Sequence, residues 1–223
     1  MRLTLSAFIF DLDGTLADSI GDIGAAMNHA LEAHGHPPHT IADYLPMVGE
    51  GVRRLAERAV PKGLSSESVD RVLATYRARY AQALVVNTRA YAGIDALLAS
   101  LVAKRVPLAV LSNKGEAFTR PIVASLFPNV PFVDVRGDRE GVPRKPDPGA
   151  ALELARALGH AANEVAFVGD TAVDMETARR AGMVGVGVLW GFRGRDELLG
   201  AGAKVLLPHP SDLESLVDVR PGC

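Results

Sequence analysis

Apolar positions along the chain fall into two patterns. Short continuous runs, often β-branched, occur at Ala7–Phe10, Leu108–Leu111, Phe132-Val133, Val165–Val168, Val184–Leu189 and Val205–Leu207. Runs of this length and composition read as strands covered on both faces. Between them, 93–104, 115–126, 148–159 and 172–181 read as helices. Their punctuation agrees: Gly93 precedes the first, Asp147-Pro148 opens the third, and Gly159 and Gly182 follow the third and fourth. Strands alternating with helices predict an α/β fold, a doubly wound, Rossmann-like parallel sheet of right-handed βαβ units.

The stretch 17–85 breaks this alternation and offers no convincing strand. Val69, Val72, Leu73, Tyr76 and Tyr80 hold to one face of a helix. Ser19-Ile20-Gly21-Asp22 resembles a capping box, with Asp in the third helical position. Gly35–His39 and Pro61–Ser66 read as turns. The expected organisation is therefore a core of residues 1–16 and 86–223 with an inserted α-helical cap domain at 17–85.

Composition adds mainly exclusions. The 223 residues carry 24 Lys+Arg against 26 Asp+Glu, a formal charge of −2, which argues against nucleic-acid binding through bulk charge. The single cysteine, Cys223, excludes an internal disulfide framework or a cysteine zinc site. No apolar run approaches the ~20 residues of a membrane helix, and no leader-like cleavage pattern follows the first apolar patch. A cytoplasmic protein without a membrane partner is expected.

The polar residues matter most where they follow the apolar runs, since ligands of open α/β sheets bind outside the carboxyl ends of the strands. Asp11-Leu12-Asp13-Gly14-Thr15 follows the first run and Ser112-Asn113-Lys114 the second. Arg144-Lys145-Pro146-Asp147 comes after the third, and Gly169-Asp170-Thr171 with Asp174 after the fourth. Each alone has a plainer reading as a turn, a helix cap or a solvated charge. In this order, each behind a strand, they place several carboxylates and a lysine at one rim. Acids bunched so closely need a cation among them, and hard oxygen ligands suit Mg²⁺.

This constellation resembles the haloacid dehalogenase-like superfamily of phosphatases, over roughly residues 5–207. Asp11–Thr15 is similar to its first motif, Ser112-Asn113 to the second, Lys145 to the third and Gly169–Asp174 to the fourth. The helical insert resembles the cap of the phosphoglycolate-phosphatase-like subgroup. The resemblance implies Mg²⁺-dependent hydrolysis of a small phosphorylated metabolite through an aspartyl-phosphate. Asp11 would attack phosphorus, and Asp13 would protonate the leaving oxygen and then activate water. Mg²⁺ would be held by Asp11, the Asp13 carbonyl and Asp170. Lys145 would neutralise charge and bind phosphate with Ser112 and Asn113. Thr15 would orient Asp13. Gly169, Thr171 and Asp174 would support the site from behind, Asp174 by fixing Lys145 or a metal-bound water.

In the insert, Gly49-Glu50-Gly51-Val52-Arg53-Arg54 is the recognition candidate. Its glycines could present backbone N–H groups and Arg53 could fork onto a carboxylate. The loop resembles the glycine-containing cap loop of phosphoglycolate phosphatases, and that overall resemblance implies 2-phosphoglycolate. Sugar-phosphate, nucleotide and pyrophosphate phosphatases, including one for a cell-wall sugar phosphate, remain alternatives. A phosphosugar mutase is another, although no His stands near Asp22-Ile23. A receiver-like phospho-acceptor module is the non-enzymatic alternative, disfavoured by Asp13 and the insert. His34, His36 and His39 read as a surface turn rather than a zinc site, and Trp190 as packing. A monomer or homodimer is expected.

Overall fold

The computed structural model describes residues 5–217, so Cys223 lies outside the described residues. The sheet is built on β1 (Ala7–Phe10), β4 (Leu108–Gly115), β5 (Asp134–Asp138), β6 (Val165–Gly169), β7 (Val184–Val188) and β8 (Val205–Leu207). All six pair in parallel in the order β5-β4-β1-β6-β7-β8. Helices α4 (Ile94–Ala103), α5 (Glu116–Leu126), α6 (Gly149–Leu158), α7 (Ala172–Ala181) and α8 (Arg195–Gly200) connect them.

The alternation of side chains along a strand explains the two cores. Ala7 and Ile9 of β1 share one buried cluster with Phe167, Leu154 and Leu158. Phe8 and Phe10 point the other way, into the cluster holding Val110, Val168, Leu98 and Ile122. Both faces are covered, so the strand shows no polar alternation and reads as a continuous run.

Between β1 and β4 lie α1 (Ile20–Ala33), α2 (Val52–Ala59) and α3 (Ser66–Ala81), with α3 packed on both α1 and α2. The periodic face of α3 is buried throughout: Val69, Val72, Leu73, Tyr76 and Tyr80 are each under 6 % exposed. Tyr76 and Tyr80 stack at 5.4 Å, and Phe118 of α5 meets Tyr80 edge-on at 5.3 Å. The two connections between sheet and helices are themselves paired. A two-residue strand, β2 (Ala17–Asp18), runs antiparallel to β3 (Arg89–Ala90).

Several local expectations change. The strand expected at Phe132-Val133 begins instead at Asp134 and carries Asp-Val-Arg-Gly-Asp. It is an edge strand with all its residues half-buried, so its polar side chains reach solvent and no apolar run marks it. The second strand extends beyond Leu111 through Ser112, Asn113 and Lys114. The capping box at Ser19–Asp22 does not form. Ser19 donates its hydroxyl to Asp13. Asp22 accepts from the backbone N–H of Val86, Asn87 and Thr88, and from the Asn87 amide and the Thr88 hydroxyl. The paired connections offered these polar side chains partners better than their own helix. His34 and His39 are engaged by Thr75 and the Ala59 carbonyl. No helix among the described residues is long and apolar enough to cross a membrane.

Candidate active site

Asp11 stands where β1 ends, Ser112 to Lys114 at the end of β4, and Asp170 directly after β6. Because β1 lies between β4 and β6, these ends are neighbours. Lys145 arrives in the loop between β5 and α6. Asp11, Asp13, Ser112, Asn113, Lys145, Asp170 and Asp174 are all buried.

Lys145 Nζ lies 2.9 Å from Asp11 Oδ1 and donates to Asp174 Oδ1 at 2.8 Å. Lys145 thus bridges the two buried carboxylates. Asp174 is otherwise committed, because its Oδ2 accepts from the Thr171 N–H and hydroxyl. Gly169 permits this arrangement: a Cβ there would stand 2.3 Å from Asp174 Cγ. Gly14, at φ +86°, performs the same service for Asp170, whose Oδ2 would lie 2.2 Å from a Cβ. Asp170 accepts from the Thr15 hydroxyl at 3.2 Å and the Phe192 N–H at 2.8 Å. Thr15 therefore orients Asp170, and not Asp13 as expected. The chain turns at Gly14, and the hydroxyl facing Asp13 belongs to Ser19.

The electrostatics show a surplus of negative charge. One oxygen from each of Asp11, Asp170 and Asp174 lies within 4.8 Å of the others. Burial raises the Asp11 carboxyl to about 6 against the opposing pull of Lys145, and Asp174 and Asp13 add to the rise. Asp170 is pushed well above the ordinary carboxylate range by burial first, then by Asp174 and Asp11. Burial alone would lower Lys145, but Asp11 and Asp174 outweigh it and raise it above its usual value. One buried lysine does not balance these acids. Three buried carboxylates that bring hard oxygen donors within 4.8 Å of one another around a single lysine fit a divalent cation such as Mg²⁺.

Above this floor is a chamber of about 50 Å³. Asp11, Asp13, Ser112 and Asn113 form its base, with Ile23, Val48, Val52, Leu55 and Tyr76 from the helical segment above. Gly49 and Gly51 also line it, and Asn113 donates to the Gly49 carbonyl at 3.0 Å. Arg53 does not. It is exposed and pairs with Asp70, Glu57 and the Ser66 hydroxyl. The start of α2 points this side chain along the outside of the helix toward α3, where acidic partners wait. Arg54 likewise pairs with Glu57.

The cation lining the chamber is Lys114, whose side chain is 6 % exposed. Its Nζ sits 2.9 Å from both oxygens of Asp13 and 4.8 Å above the Tyr80 ring.

Residues 8–188 match the haloacid dehalogenase-like hydrolase family. The chain belongs to that family. It is 33 % identical over 215 residues to a phosphoglycolate phosphatase of Aquifex aeolicus, covering 96 % of this chain and 97 % of the relative. It is equally, 33 %, identical over 220 residues to the N-acetylmuramic acid 6-phosphate phosphatase of Pseudomonas aeruginosa, covering 97 % and 96 %. A crystal structure from Lactobacillus delbrueckii subsp. bulgaricus, provisionally assigned as a phosphoglycolate phosphatase, superposes with a TM-score of 0.89 at 31 % identity, covering 95 % and 98 %.

In this hydrolase, sequence reasoning passed over three contributors. Lys114 follows Ser112-Asn113 at the strand end, where position alone assigns it no role. Ser19 was assigned to a helix cap. Arg193 was not singled out, although it donates to the carbonyls of Leu45, Pro46 and Val48 and so ties the helical segment to the core. Only Lys114 had a signal available, its position directly behind Ser112-Asn113.

Proposed function

We propose that this family member is a Mg²⁺-dependent phosphomonoesterase that works through an aspartyl-phosphate on Asp11, with 2-phosphoglycolate as its substrate. That it is a phosphatase accords with its relatives and with the strand-end acids. The observation that carries the reading is Asp11: a buried carboxylate at the end of β1, 2.9 Å from Lys145 Nζ and clustered with Asp170 and Asp174, at the base of a small chamber.

Asp11, Asp170 and the Asp13 carbonyl would hold the cation. Bound there, Mg²⁺ supplies charge neutralisation for an anionic nucleophile approaching an anionic phosphate. Asp11 attacks phosphorus in line. Asp13, held by Ser19 and Lys114, gives its proton to the leaving oxygen and takes one back from the water that cleaves the acyl-phosphate. Lys145 remains with Asp11 and Asp174 and offsets charge on the phosphoryl oxygens. Ser112 and Asn113 bind those oxygens.

The chamber's size supports a short leaving group. A water needs about 10–15 Å³ of such space, so the chamber by itself holds only a few small groups and favours a short leaving group such as glycolate. A second reading has its own support. A larger cleft of about 840 Å³ shares Val52, Tyr76 and Lys114 with the chamber and is lined by Arg77, Arg139 and Arg144. A phosphorylated acid sugar could extend into it.

The test is Mg²⁺-dependent turnover of 2-phosphoglycolate and p-nitrophenyl phosphate, abolished by EDTA. Asp11→Asn is expected to lower kcat by at least about 10³-fold, as for removal of other covalent nucleophiles. Metal-independent turnover, or an active Asp11→Asn protein, would remove the proposal.

A further inference from the structure

Lys114, its side chain 6 % exposed, is a second lysine at the site; it holds Asp13 but is not needed to bind the phosphoryl oxygens. It lies at the end of β4, faces the chamber rather than the Asp11–Lys145–Asp174 cluster, and is the cation among the chamber's lining residues. From the geometry we infer that Lys114 recognises a carboxylate on the leaving group and thereby selects phosphorylated carboxylic acids as substrates. This deepens, and rests on, the phosphatase reading.

Three observations carry the inference. First, the rest of the chamber wall above the phosphate floor carries no charge: Ile23, Val48, Val52 and Leu55 are apolar, and Gly49, Gly51 and the Tyr76 phenol complete it. An acid entering there has no other cationic side chain to meet, since Arg53 is turned outward onto Asp70 and Glu57. Second, Lys114 is already engaged with a carboxylate, 2.9 Å from each oxygen of Asp13. An ammonium carries three donors, so a hydrogen remains for a second anion without releasing Asp13. One lysine would then touch the proton donor and the leaving group together, which places the leaving oxygen beside Asp13. Third, the lysine is held in place. Its Nζ lies 4.8 Å over the Tyr80 ring, and Tyr80 is itself fixed between Tyr76 and Phe118. A buried, pre-positioned cation recognises an anion without first paying to order a long side chain.

Lys114 also lines the larger outer cleft. The same group could therefore serve a short acid held within the chamber, where it is the cation, or an acid sugar reaching outward, where Arg77, Arg139 and Arg144 also line the cleft. The shared chemistry is a carboxylate carried by the leaving alcohol.

The experiment compares kcat/KM within matched substrate pairs in the presence of Mg²⁺. One pair is 2-phosphoglycolate and ethyl phosphate, which has a methyl group in place of the carboxylate. The other is N-acetylmuramic acid 6-phosphate and N-acetylglucosamine 6-phosphate, which lacks the acid. The wild type is expected to prefer the acid in one pair, and the preferred pair identifies the source of the carboxylate. In Lys114→Gln that acid-over-neutral ratio is expected to fall about 10–100-fold, the scale of a lost charge-assisted hydrogen bond, with KM for the acid carrying most of the change. Absolute rates also fall, because Asp13 loses a partner, so the ratio is the readout. Lys114→Arg keeps a cation and should restore part of the preference. A ratio unchanged in Lys114→Gln, or both substrates falling equally, overturns the role of Lys114 while leaving the phosphatase reading in place. A wild type that hydrolyses phosphomonoesters without preferring either acid overturns the substrate class itself. A wild type with no phosphomonoesterase activity removes the reading beneath it. If the glutamine variant does not fold, inhibition of the wild type's p-nitrophenyl phosphate turnover decides. Glycolate should inhibit at least about tenfold better than glycolamide, and equal inhibition overturns the inference.

Discussion

Asp22 shows how one side chain can hold two distant parts of a chain together. Its carboxylate, buried in the first turn of α1, accepts hydrogen bonds from residues 86–88. Burial alone would raise its pKa, but the donors of Thr88 and Asn87 prevail and hold it below its ordinary 3.8. A depressed carboxyl contributes stability above its unfolded value and loses it as pH falls through the folded one. Asp22→Asn is therefore expected to destabilise the protein by about 1–3 kcal/mol at pH 7. The gap from wild type should narrow as the pH falls below 3.8. Urea melts across that range check the sign, and a constant gap would remove the charge from the explanation. Sequence spacing marked Asp22 as a polar residue near a helix start. It could not show that the better donors come from a segment more than sixty positions away.

Among the elements, β4 and the 45–51 loop shape the half of the chamber that faces the leaving group. β4 is apolar where it is sandwiched and polar where it emerges, so its length was read short but its functional end was legible. The loop is held from the core side. Asn113 reaches the Gly49 carbonyl, Arg144 the Glu50 carbonyl at 3.3 Å, and Arg193 the carbonyls of Leu45, Pro46 and Val48. These contacts press Gly49 and Gly51 against the chamber. Arg193→Ala is expected to speed hydrogen exchange in residues 45–51 and raise KM about 3–10-fold with a smaller change in kcat, because it loosens a lid rather than the chemistry. A variant with wild-type exchange in the loop would show that the other two ties suffice. Arg53 is the instructive failure at this scale. An arginine beside two glycines reads as a recognition group, yet the helical phase of α2 directs it to Asp70 and Glu57.

At the scale of the whole molecule, the buried acids at the sheet rim cost stability that a bound cation would return. Mg²⁺ is expected to raise the melting temperature of the wild type, since a ligand that binds only the native state stabilises it by mass action. Asp170→Asn should remove most of that shift while melting no lower than the metal-free wild type, because it relieves the repulsion with Asp11 and Asp174. A thermal-shift titration reads both effects. An Asp170→Asn protein that retains the full shift would place the cation elsewhere.

The sequence by itself determined the alternating α/β order, the helical insertion, and the four polar groups behind their strands. These follow from periodicity and from the rule that parallel strands present their carboxyl ends on one rim. Tertiary structure alone decided which partner each polar side chain takes: Ser19 and Lys114 for Asp13, Thr15 for Asp170, residues 86–88 for Asp22, and Asp70 and Glu57 for Arg53. The physical reason is that hydrogen-bond and charge partners are chosen by distance and direction after packing. A one-dimensional pattern records which residues carry the groups, and not which of them will face one another.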